Sequence, residues 1–446
     1  MTDATLHIGL DDTDSPRMGC TTYVASLLVE KLQGLGARFL DYPNLVRLNP
    51  NVRWKTRGNG ALCLRVRLDR NVTDRLVETT IDTVEQNSDI ESRRTDPGIV
   101  FLQCQTVPED IRRFASEAVT DVVALDSALR LMKKHGAWGL GLKNGRGIIG
   151  ALAAVGNLLA EDHTFEILAY RKPENFGTKR KIDEESIFEM SQRSKPLTFN
   201  NVDEEKRRVI ITPRGPDPIL FGIRGETAEI VKQAFTMVAS DETVDRWMIV
   251  RSNQGTDAHL RRFPLLDQIR PYSSVIVHGA VSSSPRVIRG RHVFFSIRDA
   301  SKEVDCAAFE PTGNLRKIAR ELIVGDDIEA YGAVKARSSS HKVTINLEKI
   351  RILSLAPKLA PLNPVCSRCG KRLKSMGKGQ GFRCEKCGVK YGNHAKIEVT
   401  MPRQLKTGLY VTSPRSQRHL TKPLVRYGQE KTRSESRDLV DGWHFP

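Results

Sequence analysis

Four cysteines of the 446-residue chain stand as C-x2-C-x14-C-x2-C: Cys366, Cys369, Cys384 and Cys387. Each pair can offer two thiolates to adjacent corners of a Zn2+ tetrahedron, and four protein ligands leave no open position, so such a metal is structural. Gly370 and Gly388 directly follow the second cysteine of each pair, where knuckle turns need a permissive backbone. The loop between the pairs, KRLKSMGKGQGF, is cationic. Phe382 and Tyr391 lie near enough in sequence to stack on nucleic-acid bases; the alternative is a solvated loop without a ligand. At the other end of the chain, Asp11, Asp12 and Asp14 follow an apolar run. Three carboxylates in four residues repel one another unless a cation sits among them. Mg2+ with nucleotide phosphates suits such a set, because Mg2+ is usually held by one or two carboxylates plus substrate oxygens. An Asx-turn with helix capping is the plainer alternative.

Thr21 and Thr22 open a helix-like stretch, either as a cap or as hydroxyls facing phosphate at a helix N-terminus. Lys55-Thr56-Arg57-Gly58-Asn59-Gly60 is a cationic glycine turn leading into a strand-like run. Two cations and free backbone amides make it a candidate phosphate cradle; a simple strand entry is the alternative. Gly145-Arg146-Gly147-Ile148-Ile149-Gly150 matches G-x-G-x-x-G and opens a further helix, which makes Gly145 and Gly147 candidate phosphate contacts. Lys143 and Asn144 stand where a dinucleotide-binding strand would be apolar, so NAD is not expected. Ala151-Leu152 after Gly150 excludes a Walker A motif.

The elements that must position these residues follow from periodicity. Residues 5–10 and 61–68 read as strands, with Leu62, Leu64, Val66 and Leu68 on one face. Helices are predicted over 22–33, 121–134 and 148–160, giving α/β or α+β material of about 160 residues. A small α+β segment with a helix at 226–239 closes near 258. Strands at 273–282, 291–298 and 303–309, a helix at 313–323, and strands at 326–335 and 342–353 follow the order of an OB-fold. Arg286, Arg289 and Arg291 fall in its first turn, and Lys335, Arg337 and Lys342 between its last two strands, where such folds hold oligonucleotides. Pro357, Pro361 and Pro364 form a linker into the cysteine module. After about residue 402 there is only basic, proline-broken sequence without periodicity.

Composition agrees with a folded protein that meets a polyanion. Hydrophobic residues make 39% and charged residues 28%, and the net charge is +17. Residues 358–446 hold 19 Lys/Arg against 6 Asp/Glu, so most of the surplus sits there; nucleic acid is the simplest partner. No run approaches the ~18 apolar residues of a membrane span, and the N-terminus has no signal-peptide pattern, which predicts a cytoplasmic protein with no membrane partner. Cys20, Cys63, Cys104 and Cys306 are isolated and read as buried thiols.

The runs GLDDTDSPRMGCTTY (9–23), RLNPNVRWKTRGNGA (47–61), GRGIIGALAAVG (145–156), AYRKPENFG (169–177), TFNNVD (198–203), GPDPILFGIRGE (215–226), NQGTDAHL (253–260) and RHLTKPLVRYG (418–428) together resemble the archaeal tRNA(Ile) 2-agmatinylcytidine (agmatidine) synthetases over nearly the whole chain. The resemblance implies a multidomain α/β and α+β protein: an ATP-binding kinase-like domain at 1–165, a ferredoxin-like domain at 166–260, an OB-fold barrel at 270–356, a zinc ribbon at 362–400 and a basic tail at 401–446. It implies an ATP-dependent ligase that replaces the C2 oxo group of the wobble cytidine in a CAU anticodon with agmatine, so that the tRNA reads AUA. By motif, Thr21 is the threonine that takes a phosphate. Asp11, Asp12 and Asp14 would hold Mg2+ and orient phosphates, with Thr22, Lys55, Arg57, Gly58, Gly60, Gly145 and Gly147 around ATP. One departure is local: Met18-Gly19 precedes Cys20, where the family's order is glycine then methionine. A non-catalytic tRNA-binding protein and an amidine ligase acting on a small molecule are the alternatives. The intact acidic and KTRGNG runs speak against the first, the basic C-terminal third against the second.

Overall fold

Strand Gly60–Asp69 is buried along both faces, and this one fact organises the N-terminal half. Leu62, Leu64, Val66 and Leu68 meet helix Thr21–Gly34 and helix Thr73–Gln86 on one side. Ala61 and Cys63 face helix Gly147–Gly156 on the other. A central strand covered twice carries apolar residues at nearly every position, as here. The inward Arg65 is the exception. Its guanidinium donates to the carbonyls of Val155 (3.1 Å) and Asn157 (2.9 Å), so it caps the C-terminal end of helix Gly147–Gly156, where a cation is favoured.

A computed structural model describes residues 3–336, 343–392, 395–431 and 438–446. One eleven-stranded sheet runs through the first 260 residues in the order Trp138–Gly141, Gly98–Gln103, Asp3–Asp11, Gly60–Asp69, Asn44–Arg47, Val244–Ser252, Thr164–Arg171, Ile219–Gly225, Thr198–Phe199. Arg38–Phe39 and His444–Phe445 pair alongside. All its pairings are antiparallel except Asn44–Arg47 with Val244–Ser252. The kinase-like and ferredoxin-like segments thus share a sheet and an apolar core, through the edge between those two strands.

The OB-like segment folds as expected: strands Ser274–Val281, Val293–Arg298, Glu303–Ala308, Asp327–Lys335 and Thr344–Ser354 close a barrel, with helix Asn314–Glu321 after the third. Arg286, Arg289 and Arg291 are exposed there, while Arg337 and Lys342 lie outside the described residues. Among the described residues, no helix is long and apolar enough to cross a membrane.

The described residues of the 401–446 segment are not a tail. Gly408–Val411 adds a strand to the barrel, His444–Phe445 adds one to the large sheet, and Trp443 is buried against Phe39 and Tyr42. Arg426 is fully buried: Nε donates to Glu226 Oε1 (2.6 Å), Nη2 to Asp162 Oδ1 (2.9 Å) and Nη1 to Gly255 O (2.6 Å). Arg415 pairs with Asp203 and Arg403 with Asp326. Most of the acids that neutralise this segment come from the body of the chain, so counting charge along the sequence could not show which cations were already paired. The ribbon is the separable part, since Lys358–Leu362 pairs with Ile397–Met401 and brings Leu362 opposite Ile397.

Arg426→Ala removes the buried guanidinium that bridges Glu226 and the half-buried Asp162, leaving them, among the described residues, only the cations Lys431 and Lys422, and should cost about 3 kcal/mol in urea unfolding. Replacing residues 363–396 by a short glycine-serine linker should leave the melting temperature of the remainder within a few degrees, whereas truncation at 358 should prevent folding.

Candidate functional site

Asp11 ends strand Asp3–Asp11, and the chain then turns through Asp12, whose φ of +58° is a left-handed conformation that Asp tolerates. The loop closes on itself: Thr13 Oγ1 donates to Thr21 Oγ1 at 3.0 Å, and Ser15 N donates to Met18 O at 2.8 Å. Gly19 has φ +82°, and a Cβ there would lie 2.9 Å from Thr13 O. The Met18-Gly19 order is accommodated: glycine occupies the position that needs it, and the Met18 side chain is exposed.

Two arginines hold the acids. Arg57 donates to the carbonyls of Gly19 (3.1 Å) and Ser15 (2.9 Å), sits 3.5 Å from Asp14 Oδ2 and pairs with Asp217. Arg146 bridges Asp12 Oδ2 and Asp96 Oδ2, both at 3.1 Å, and the Asp96 amide donates to the same Asp12 oxygen. Burial raises the pKa of Asp11 well above the carboxylate range, reinforced by the Asp12 charge. Burial likewise raises Asp12, against the pull of Arg146, and brings Asp14 up to about 6, against Arg57. Three carboxylates whose ionisation is opposed by burial and by one another fit a divalent cation, which would favour their charged form.

These acids line a pocket of about 80 Å³ with Trp54, Lys55, Thr56, Asn59, Gly60, Arg146 and Gly150. Beside it opens a cleft of about 1070 Å³ lined by Arg47, Asn51, Arg53, Lys55, Arg57, Gly58, Tyr272, Phe294, Phe309, Lys335, Arg418 and His419. Lys55 lines both, with its Nζ donating to Arg57 O at 3.0 Å. The KTRGNG turn is therefore the wall between an acidic compartment and a cationic, aromatic one.

Several expected site residues line neither cavity. Thr21 and Thr22 are buried at the start of helix Thr21–Gly34, Thr21 against the acidic loop through Thr13 and Thr22 with its Oγ1 3.0 Å from Cys20 Sγ. Gly145 and Gly147 line neither cavity. Gly145 makes a turn at φ +68°, and a Cβ on Gly147 would lie 2.4 Å from Asp96 O and Gly98 N, so close packing accounts for it. The residue between them, Arg146, is the one that reaches the acids. Neither it nor Asp96 stood out in the sequence, although an arginine inside an otherwise small and apolar helix start was a usable signal.

The four cysteine sulfurs lie within 4.8 Å of one another, as a tetrahedral Zn2+ site requires. The two knuckles match: Gly370 N donates to Cys366 O and Gly388 N to Cys384 O, with φ of +70° and +69°. Phe382 is not available to stack on bases. It is buried with Cys366, Leu373 and Cys384, because so small a module has few other apolar residues to enclose its metal site. Tyr391 turns its hydroxyl to Cys366 Sγ, at 3.1 Å.

Four domain families match the chain: the TiaS TCKD domain over residues 7–70, the TiaS FLD domain over 145–259, the OB-fold nucleic acid binding domain over 275–353 and the TiaS C-terminal zinc ribbon domain over 363–405. The tRNA 2-agmatinylcytidine synthetase TiaS of Methanosarcina mazei is 43% identical over 426 residues, which is 94% of this chain and 97% of that one. A crystal structure of TiaS in complex with its isoleucine tRNA and ATP superposes with a TM-score of 0.85 at 41% identity. One of TiaS with the same tRNA, AMPCPP and agmatine does so at 0.83 and 38%. Each covers 95% of this chain and 97% of its own.

In Mg2+-free buffer, Asp14 keeps its proton in the folded state up to about pH 6 and loses it near pH 4 when unfolded. The folded state is therefore penalised as pH rises from 4 through 6. Asp14→Asn should remove about 2 kcal/mol of that fall, measured as urea stability at pH 7 against pH 4. Chelation of Zn2+ should unfold residues ~362–400 and leave the large sheet folded, as hydrogen exchange would record, because structural zinc binding is itself folding free energy.

Proposed function

The chain belongs to the tRNA(Ile) 2-agmatinylcytidine synthetase family, and from that premise we propose that it is an ATP-dependent ligase that joins agmatine to C2 of the wobble cytidine in the CAU anticodon of tRNA(Ile). One observation carries the reading: an acidic pocket and a wide cationic, aromatic cleft share the wall residue Lys55. A nucleotide on one side and a splayed RNA base on the other would meet across that wall.

An amine cannot displace the C2 oxygen of cytosine until that oxygen becomes a leaving group. Transfer of the γ-phosphoryl group of ATP to the C2 oxygen makes it one. Agmatine nitrogen then forms the C2–N bond as the C–O bond breaks and phosphate departs. Release of the β-phosphoryl group, with Thr21 as its acceptor, would leave AMP. Phosphoryl transfer depends mostly on positioning and charge neutralisation. Asp11, Asp12 and Asp14 would hold Mg2+, which supplies that neutralisation when bound. Arg57 holds the acidic loop by two of its carbonyls, and Arg146 fixes the rotamer of Asp12. The target base has to leave the anticodon stack, which costs little for an unpaired wobble position. The exposed Trp54, in the wall segment, is placed to meet a base or the adenine ring.

Incubation with ATP, agmatine and the CAU tRNA, followed by mass spectrometry of the RNA, tests the reading. The unaltered chain should form agmatidine and AMP together, and a tRNA left unmodified would refute it. Asp12→Ala should abolish product while changing tRNA affinity less than threefold. Thr21→Val should lower turnover without erasing it if the threonine phosphate is a by-product.

A further inference from the structure

Among the described residues, Arg47 is a cation without a counter-ion. It ends strand Asn44–Arg47, and Asn253 holds its backbone from both sides, accepting from the amide (2.8 Å) and donating to the carbonyl (2.9 Å). The side chain has no such support. Its Nε is fully buried and makes no hydrogen bond, and among the described residues no carboxylate pairs with the guanidinium. Glu166 is the acid that acts on it most, yet Glu166 Oε1 accepts from Arg224 (3.1 Å) and Oε2 from Gln254 (2.5 Å). Burial first, and then the Arg224 charge, bring the Arg47 pKa down to about 10. A buried charge left unpaired destabilises a fold, and side chains that break a folding rule this way concentrate where something binds.

Arg47 lines the 1070 Å³ cleft. A Cβ on Gly58 would lie 2.9 Å from Arg47 Nη1 and 2.8 Å from His419 Nε2, so both side chains converge on one backbone position of the wall. Burial, with the charges of Arg47, Arg224 and Lys55, holds the pKa of His419 well below its ordinary value. His419 therefore resists taking a charge of its own beside Arg47.

We infer that Arg47 is an anion receptor in this cleft and takes a phosphate group of the substrates. The phosphate could belong to the RNA backbone or to ATP. The aromatic lining by Tyr272, Phe294 and Phe309 suits RNA, and the identity of that RNA rests on the ligase reading above. The site is separate from the acidic pocket, whose lining does not include Arg47.

Arg47→Gln and Arg47→Lys in the full, zinc-loaded chain test this. The unliganded Arg47→Gln protein should melt at the same temperature as the unaltered chain or higher, because an unpaired buried charge has been removed. Its affinity for the CAU tRNA should fall at least tenfold, and the slope of log affinity against log salt should become shallower by about 0.7–0.9, the value of one phosphate contact. ATP affinity should not change. Arg47→Lys should recover part of the loss, as a point charge without the guanidinium fork. Loss of ATP affinity with tRNA binding intact would assign the same receptor to the nucleotide. Inorganic pyrophosphate is the third probe, and it should raise the melting temperature of the unaltered chain more than that of Arg47→Gln. Equal responses of the two proteins to all three ligands would overturn the receptor. An unaltered chain that binds pyrophosphate but no tRNA would overturn the ligase reading and leave the receptor standing.

Discussion

The site depends on how closely helix Gly147–Gly156 lies on the sheet. A Cβ on Gly9 would fall 2.1 Å from Ala151 O, one on Gly98 2.1 Å from the Gly147 carbonyl carbon, and one on Gly150 1.9 Å from Asp11 Oδ2. Backbone meets backbone at Gly9 and Gly98, and the helix backbone meets the Asp11 carboxylate at Gly150, approaches that leave no room for a Cβ. That approach sets Arg146, at the start of the helix, within reach of Asp12 and Asp96. Arg65 secures the far end of the same helix from the central strand. Any side chain added to the contact would lift the helix and separate the acids from the cation that orders them. The glycine pattern that looks like a nucleotide loop is, in this fold, a packing device that serves the acidic pocket at one remove.

Charge is distributed by the same logic of contact. The basic C-terminal segment returns through the barrel to the first sheet, and its arginines and lysines find acids contributed by earlier segments. Arg426 with Glu226 and Asp162, Arg415 with Asp203, and Lys349 with Asp257 hold the modules together. Buried pairs of this kind are weak sources of net stability but costly to break, so they act more as register pins than as glue. Arg47, by contrast, lines the cleft with no carboxylate partner among the described residues.

The segment from Arg47 to Gly60 faces both compartments. Lys55, Leu48 and Val52 line the acidic pocket and the cationic cleft alike, and Arg57 reaches back to fasten the loop that carries the acids. A movement of this wall would therefore be felt on both sides. A reaction that joins a nucleotide phosphate to a base has use for such a shared boundary, because the two reacting groups must be brought together while each keeps its own set of counter-charges.

Local chemistry was legible in the sequence because it depends on neighbours in the chain. The cysteine spacing, the acidic run at a strand end, the order of barrel strands and the helices near 22–33, 121–134 and 148–160 follow from residues a few positions apart, whereas helices Thr73–Gln86 and Glu109–Thr120 did not stand out. The residues that needed distant partners were not legible. Phe382 reads as a free aromatic until the scarcity of apolar residues in its module claims it for the core. Gly145 and Gly147 read as phosphate contacts until the sheet beneath them explains the missing side chains. Residues 401–446 read as a tail because short strands on borrowed sheet edges have no periodicity of their own, and most of their neutralising acids lie far back in the chain. Arg146, Asp96 and Arg47 became meaningful only when the fold showed which charges had partners and which had none. Spacing along the chain determined which groups could do chemistry; tertiary packing decided which of them meet, because hydrogen bonds and ion pairs act over a few ångströms of space and not over positions in sequence.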